Sequence, residues 1–340
     1  MNSTQTATDY DLITLGRCGM DLFAQNIGAA FEKIQGFDAH IGGSPTNIAV
    51  AASRLGLKTA LLTAVGPDLV GDFVLDHLAE EGVDTGYIPR KPDTHTGLAV
   101  VGVQPPDRFP LVFFRQNPAD IWLTPDDLAD VPFGRTRCLL LSGTALSRGT
   151  AREATIFASQ QAAAAGATVY LDLDLRPDQW PGPESFRQHL GQLLPWVDVV
   201  IGTEEEAYAA FGTVPERVFA GTPLGSPQLD ELERVATGYL SGRDGRTLIL
   251  KRGGRGASLY SGGGQTIHAH GFPVHVLNTV GAGDAFAGGL IYARCQGWDW
   301  HTSARFGNAN GALVVTRHGC AAAMPRLEEI SAFVTEQGGL

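Results

Sequence analysis

Asp284 stands just behind a turn of small residues, Gly281-Ala282-Gly283, and just ahead of an apolar stretch of helical character, in the run NTVGAGDAFAGGL. A helix that starts on such a turn presents backbone N–H groups to solvent, and its positive end favours a bound anion. The amides of Gly281, Ala282 and Gly283 would form that anion hole, with no side chain to block a phosphate. Asp284 beside it would take a proton from an attacking hydroxyl. Positioning, charge stabilisation and one base are what phosphoryl transfer asks of a protein. The plainer alternative is a structural helix cap with packing glycines. A nicotinamide-type turn fits poorly, because Phe286 stands where G-x-G-x-x-G requires its third glycine, and G-x-x-x-x-G-K-[ST] is absent.

Other segments suggest a ligand only in combination. In HIGGSPTNIAVAASRLG, Gly42 and Gly43 allow close approach to the backbone, Pro45 and Thr46 open a helix, and Asn47 offers both a donor and an acceptor suited to sugar hydroxyls. In IGTEEEAYAAFG, Glu204 and Glu205 read as acids in a first helical turn, whereas Glu206 suits the positioning of a metal-bound water or a phosphate. LKRGGRGASLY reads as a glycine-rich turn between strands. Arg115 and Arg176 each follow a strand-like run, where open α/β sheets bind substrates, and either fork could grip a carboxylate or form a surface ion pair. The histidines show no metal-ligand spacing.

The elements that must hold these residues alternate between strand and helix. DLITLG, TALLTAVG, RCLLLSG, ATVYLDLD, VDVVIG and RTLILKRG read as buried strands. PTNIAVAASRLG, LVGDFVLDHLAEEG, REATIFASQQAAAAG and PQLDELERVATGYL carry helical spacing between them. This predicts an α/β fold with a mostly parallel sheet flanked by helices on both faces. Segments near 21–43 and 85–115 have hairpin character and predict a small second sheet, and FGTVPERVFAGTPLGSPQ reads as a long loop. With 340 residues, 44% hydrophobic and 18% charged, one large core over residues 1–340 is expected. A net charge of -11 argues against nucleic acid or an anionic membrane as partner. Four scattered cysteines, no apolar run of membrane length and a polar N-terminus lead us to expect reduced thiols, no membrane span and a cytoplasmic location.

GGSPTNIAVAASRLG and NTVGAGDAFAGG, in that order along the chain, resemble the two signatures of the ribokinase-like, or PfkB, sugar kinases, and the similarity runs from DLITLGRCGMDL to VVTRHGCAAAMP. The resemblance implies a small β lid over the sheet, ATP and Mg²⁺ as cofactors, and pairing through lids into a homodimer. It implies Asp284 as catalytic base and Gly281, Ala282 and Gly283 as anion hole, with Asp21, Gly43 and Asn47 on sugar hydroxyls. It places Thr203 and Glu206 on an N-x-x-E motif tied to phosphate and, through water, to magnesium, with Thr203 departing from asparagine. Lys251, Gly253 and Gly256 fall on the nucleotide-side turn and Asn308 on the adenine side. Asn278 replaces an aspartate linked to a monovalent cation such as K⁺, which puts that cation in question. FFRQNPAD, GTEEE and RHGCAAAMP resemble members that phosphorylate 5-dehydro-2-deoxygluconate at its 6-hydroxyl, in myo-inositol breakdown, with Arg115 and Arg176 as candidates for the carboxylate. The alternatives are members acting on 2-dehydro-3-deoxygluconate, whose D-x-N-x-R contrasts with DLDLR here; kinases of neutral sugars or nucleosides; and a non-catalytic sensor of sugar or nucleotide.

Overall fold

The computed structural model describes residues 8–105, 108–240, 242 and 244–340. Most of the polar N-terminal stretch, and residues 106 and 107 of the second expected small-sheet segment, lie outside the described residues. The strands are β1 (Tyr10–Leu15), β2 (Gly19–Ala24), β3 (Phe37–Gly42), β4 (Thr59–Leu62), β5 (Val83–Asp84), β6 (Gly97–Val101), β7 (Leu111–Phe114), β8 (Thr136–Ser142), β9 (Thr168–Asp172), β10 (Val199–Thr203), β11 (Thr247–Lys251), β12 (Ala257–Ser261) and β13 (Thr266–Ala269). The helices are α1 (Ser44–Arg54), α2 (Leu69–Glu80), α3 (Ala151–Ala164), α4 (Pro183–Leu193), α5 (Glu204–Phe211), α6 (Glu216–Phe219), α7 (Ser226–Leu240), α8 (Ala282–Cys295), α9 (Trp300–Val314) and α10 (Leu327–Glu336).

Nine strands form the main sheet in the order β13-β12-β11-β10-β9-β8-β1-β4-β5. Pairing is parallel from β11 to β5, and only β12 and β13 run antiparallel at one edge. The central strands read as continuous apolar runs because both faces are covered, as parallel sheets require. Ile13, Leu139, Leu141, Val169 and Leu171 point to one face, against Ala154 and Ala158 of α3, Phe186 of α4 and Tyr208 of α5. Leu12, Leu140, Tyr170 and Ile201 point to the other, against Ile48 of α1, Phe286 and Leu290 of α8 and Phe306 of α9. Helices α1 and α8 meet through small residues: a Cβ on Gly288 would stand 2.7 Å from the Cβ of Ala51.

A second sheet of four strands has the order β3-β2-β6-β7, with β2 and β6 parallel and both outer pairs antiparallel. It is joined to the main body by Phe23, Ile41 and Val101, which pack with Ala49 and Val50 of α1 and Val74 of α2. Two local expectations need correction. Residues 85–96 contribute no strand to the small sheet, and the strand just before them, β5, pairs with β4 of the main sheet. The expected long loop before α7 contains the short helix α6, nucleated behind Pro215, a residue that limits the chain to helix-compatible φ. Among the described residues, no helix is long and apolar enough to cross a membrane, and all four cysteines are free thiols.

Candidate active site

The carboxyl ends of β1, β9, β10 and β11 and the start of α8 converge, with β2 and β3 of the small sheet above them. Gly281 takes φ 87° immediately before α8, a left-handed conformation, and a Cβ there would lie 2.4 Å from the Sγ of Cys320. Asp284, third in the helix, does not cap it. Its Oδ1 accepts from Ser44 Oγ at 2.8 Å and its Oδ2 from Asn47 Nδ2 at 2.8 Å, both from the first turn of α1. The two signature turns are thus clasped through one carboxylate. Burial pushes the Asp284 carboxyl up to about 6, against the lowering effect of Asn47.

The amides of the expected anion-hole trio are not equally free. The Ala282 N–H donates to Thr279 O at 3.3 Å and closes the turn. Among the described residues the N–H groups of Gly281, Gly283 and Asp284 have no acceptor, so these three are the open amides. Lys251, at the end of β11, brings its Nζ to the same place: a Cβ on Gly283 would lie 3.0 Å from it. That Nζ is 3.0 Å from Oδ2 of the buried Asp172 at the end of β9. Burial alone would lower the Lys251 pKa, but Asp172 and Glu206 raise it above the ordinary lysine range, so the ammonium stays charged.

On the other side of Asp284 lies the turn from β3 into α1. Gly43 has φ 106°, and a Cβ there would stand 2.4 Å from Arg17 O. Asn47 is buried; its Nδ2 is committed to Asp284, but among the described residues its Oδ1 has no partner and is free to accept. Among the described residues Asp21 on β2 has no ion-pair partner, and burial pushes its carboxyl up to about 6 although Arg17 opposes this. Asp21, Gly43, Asn47 and Asp284 therefore share one cleft with Arg17.

The two arginines singled out from the sequence fare differently. Arg115 is largely covered, its side chain 10% exposed, and Nη1 and Nη2 donate to Asp120 at 2.9 and 2.7 Å. The fork expected to receive a ligand carboxylate is closed by an internal one. Arg115→Ala would leave buried Asp120 unpaired, so it is expected to lower stability by about 3–5 kcal/mol. Thermal denaturation checks this, and adding Asp120→Asn should recover much of the loss. Arg176 is more open, its side chain 35% exposed, with Nη2 3.1 Å from Asp174 Oδ1 and Nη1 donating to Leu175 O.

Thr203 and Glu206 form a capping box at the start of α5: the Glu206 N–H donates to Thr203 Oγ1 at 3.1 Å and the Thr203 N–H to Glu206 Oε2 at 2.8 Å. Threonine in place of asparagine keeps this cap. Glu206 Oε1 also accepts from the Leu175 N–H at 3.1 Å, which aims the carboxylate toward the end of β9. Gly253 and Gly256 flank the turn from β11 to β12, both with positive φ, and a Cβ on Gly256 would stand 2.1 Å from Ala269 O. Asn308 on α9 donates to the carbonyls of Ala269 and His270 at 2.9 and 3.0 Å, fixing the chain beyond β13. Asn278 is fully buried; Nδ2 donates to Gly319 O at 2.9 Å and Oδ1 accepts from the Val280 N–H at 3.0 Å.

Four side chains that border the candidate site were not singled out as site residues from the sequence: Arg17, Ser44, Asp172 and Asp174, the last entering only as a departure within DLDLR. Ser44 lay within a quoted signature. Asp172 and Asp174 lay in the strand-end run ATVYLDLD, where an acid inside an apolar strand pattern was the available signal.

An open α/β sheet with a helix start whose amides are open, an adjacent partly buried ammonium and a poised carboxylate has the make-up of a phosphoryl-transfer enzyme. The chain belongs to the pfkB family of carbohydrate kinases, whose profile matches residues 11–327, and it is a sugar kinase. Curated relatives include the 5-dehydro-2-deoxygluconokinase of Geobacillus thermodenitrificans, 33% identical over 95% of this chain and 93% of that protein. The enzyme of the same name from Bacillus subtilis is 30% identical over 96% of this chain and 97% of that protein. Among solved structures, an E. coli protein in complex with ATP and Mg²⁺ matches with a TM-score of 0.80 and 28% identity, covering 96% of this chain and 99% of that one. A fructokinase double mutant from Vibrio cholerae, with fructose, ADP and potassium bound, matches with a TM-score of 0.78 and 25% identity, covering 97% of this chain and 99% of that one.

Proposed function

We propose that this kinase transfers the γ-phosphoryl group of ATP to the primary hydroxyl of a keto-deoxy sugar acid, 5-dehydro-2-deoxygluconate. The observation that carries the reading is the position of Asp284 between two sets of groups. Open amides and Lys251 lie on one side, and Asn47 Oδ1 and Asp21 on the other. Asp21, Asn47 and the Gly43 turn orient the acceptor, and Asp284 takes the proton from its 6-hydroxyl. The N–H groups of Gly281 and Gly283, with Lys251 Nζ, stabilise the charge on the transferring phosphoryl. The Gly253–Gly256 turn and the segment held by Asn308 border the nucleotide. Mg²⁺ keeps most of its waters and binds chiefly through phosphates, so a sparse protein set suits it. Glu206, with each oxygen already oriented by an N–H, is the residue to hold one of its waters, and the bound ion supplies charge neutralisation for the phosphates. Asn278 does not fit as an anionic ligand for K⁺: it is neutral and both ends of its amide are used.

The test is an ADP-release screen of sugar acids against neutral sugars. Preference for 5-dehydro-2-deoxygluconate over 2-dehydro-3-deoxygluconate and fructose is the expected result; turnover of neutral sugars alone would sink the reading. The relatives' name supports this choice of acid. A role in inositol breakdown, and a cytoplasmic location in which the four thiols stay reduced, are further parts of the proposal.

We further propose a homodimer through the small sheet. Leu111, Val112 and Phe114 are 39%, 41% and 52% exposed on edge strand β7, and Phe37 is 40% exposed on the opposite edge strand β3, apolar edges suited to a copy of itself. Sedimentation should show a dimer that Phe114→Ser with Leu111→Ser converts to monomer; a wild-type monomer at micromolar concentration would refute it.

A further inference from the structure

Arg17 follows β1 in the run GRCG and its side chain is only 8% exposed. Its Nη2 donates to Asp174 Oδ1 at 3.2 Å. Its Nη1 lies 3.2 Å from Asp174 Oδ2 but is not aimed at it, and among the described residues this buried nitrogen has no hydrogen-bond acceptor. Asp174, held at φ 35°, is heavily subscribed: Arg176 Nη2 reaches the same Oδ1 at 3.1 Å, and Ser142 Oγ and Thr144 Oγ1 donate to Oδ2 at 2.9 and 3.1 Å.

Two guanidinium groups thus share one carboxylate. The other acids nearby are committed: Asp120 to Arg115, Asp172 to Lys251, Asp284 to Ser44 and Asn47. Asp21 is close enough for Arg17 to act on its charge, but among the described residues no hydrogen bond or ion pair joins them; it sits in the cleft wall beside Gly42, where a Cβ would stand 1.9 Å from its Oδ2. A buried cation with a spare donor is costly unless something anionic meets it. Arg17, Asp21, Gly43, Phe113 and Arg115 line the cleft between the two sheets, and the Phe113 ring lies 5.9 Å from the Arg17 guanidinium.

We infer that Arg17 and Arg176, drawn together by Asp174, receive the carboxylate of the acceptor, and that Arg115 serves as a paired strut. This rests on the sugar-acid reading above and names the residues that select the acid. A planar fork with a free Nη1 suits a carboxylate, whereas a neutral hydroxymethyl group in its place leaves the excess charge unmet.

The experiment compares KM for 5-dehydro-2-deoxygluconate with KM for the same sugar reduced to the alcohol at its carboxylate carbon. Phosphorylation of the acid by the wild type secures the parent reading first; its absence refutes that reading and this one together. Given that activity, Arg17→Lys keeps the charge but loses the fork, and is expected to raise the acid-to-neutral KM ratio by about 10–100-fold. A ratio unchanged from wild type overturns the assignment, including the case where both KM values rise together. Should Arg17→Lys fail to fold, isosteric Asp174→Asn decides: releasing both guanidinium groups should lower the ratio severalfold, and an unchanged or higher ratio overturns the assignment.

Discussion

Asp284→Asn is expected to lower kcat by about 10²–10⁴-fold while raising thermal stability at neutral pH. Asparagine keeps both clasps: its Oδ1 can accept from Asn47 Nδ2, and its Nδ2 can donate to Ser44 Oγ. It cannot take the proton of an attacking hydroxyl. The stability gain follows from the sign of the shift. Burial raises the Asp284 carboxyl to about 6, so the folded state prefers the protonated form. The stability this group contributes is complete below the ordinary aspartate range and is lost as pH rises through about 6. Above that, the folded enzyme carries a partly buried charge whose removal should return on the order of 1–3 kcal/mol. Melting temperatures of the two proteins should therefore diverge at pH 7.5 and converge near pH 4. The wild-type rate should fall on the acid side of about 6 as the base is protonated. Near-normal turnover by the variant would remove Asp284 from the role of base.

Lys251→Met is expected to cost about 10²–10³-fold in kcat, the scale of a lost donor to a developing oxyanion, with a smaller change in the KM of the sugar. It also strands Asp172, which is buried and has Lys251 as its ion-pair partner. A drop in melting temperature should accompany the loss of rate. The two effects are separable: adding Asp172→Asn should restore much of the stability and none of the rate. If both recover together, Lys251 is a structural partner of Asp172 and does not assist the chemistry.

How far these roles were legible depends on the range over which each signal acts. The strands at 10–15, 136–142 and 247–251 and helices α1, α2 and α3 follow from local apolar patterning, and the pattern and the packing agree. The glycine turn before Asp284 was legible because chirality restricts what tolerates φ 87° there. Which amides stay open was not, since that turned on the Thr279–Ala282 hydrogen bond inside the turn. Arg115 looked like a ligand cation because sequence places an arginine but not its counter-ion, and Asp120, five residues on, took the fork. Arg17 was passed over for the converse reason. Its meaning depends on Asp174, 157 positions away, and no periodicity reports a shared carboxylate.

The seam where Gly288 meets Ala51 bears on how this enzyme could be redesigned. Helix α8 carries the proposed base and α1 the proposed hydroxyl partners of the acceptor, and where Gly288 faces Ala51 only a methyl group separates the two. Space for a bulkier acceptor cannot be gained by parting them, because one misplaced ångström would disable every substrate alike. Adaptable volume lies on the opposite wall, in β2, β3, β6 and β7. Libraries aimed at new acceptors belong on that wall, and libraries aimed at α1 or α8 should yield mostly inactive protein.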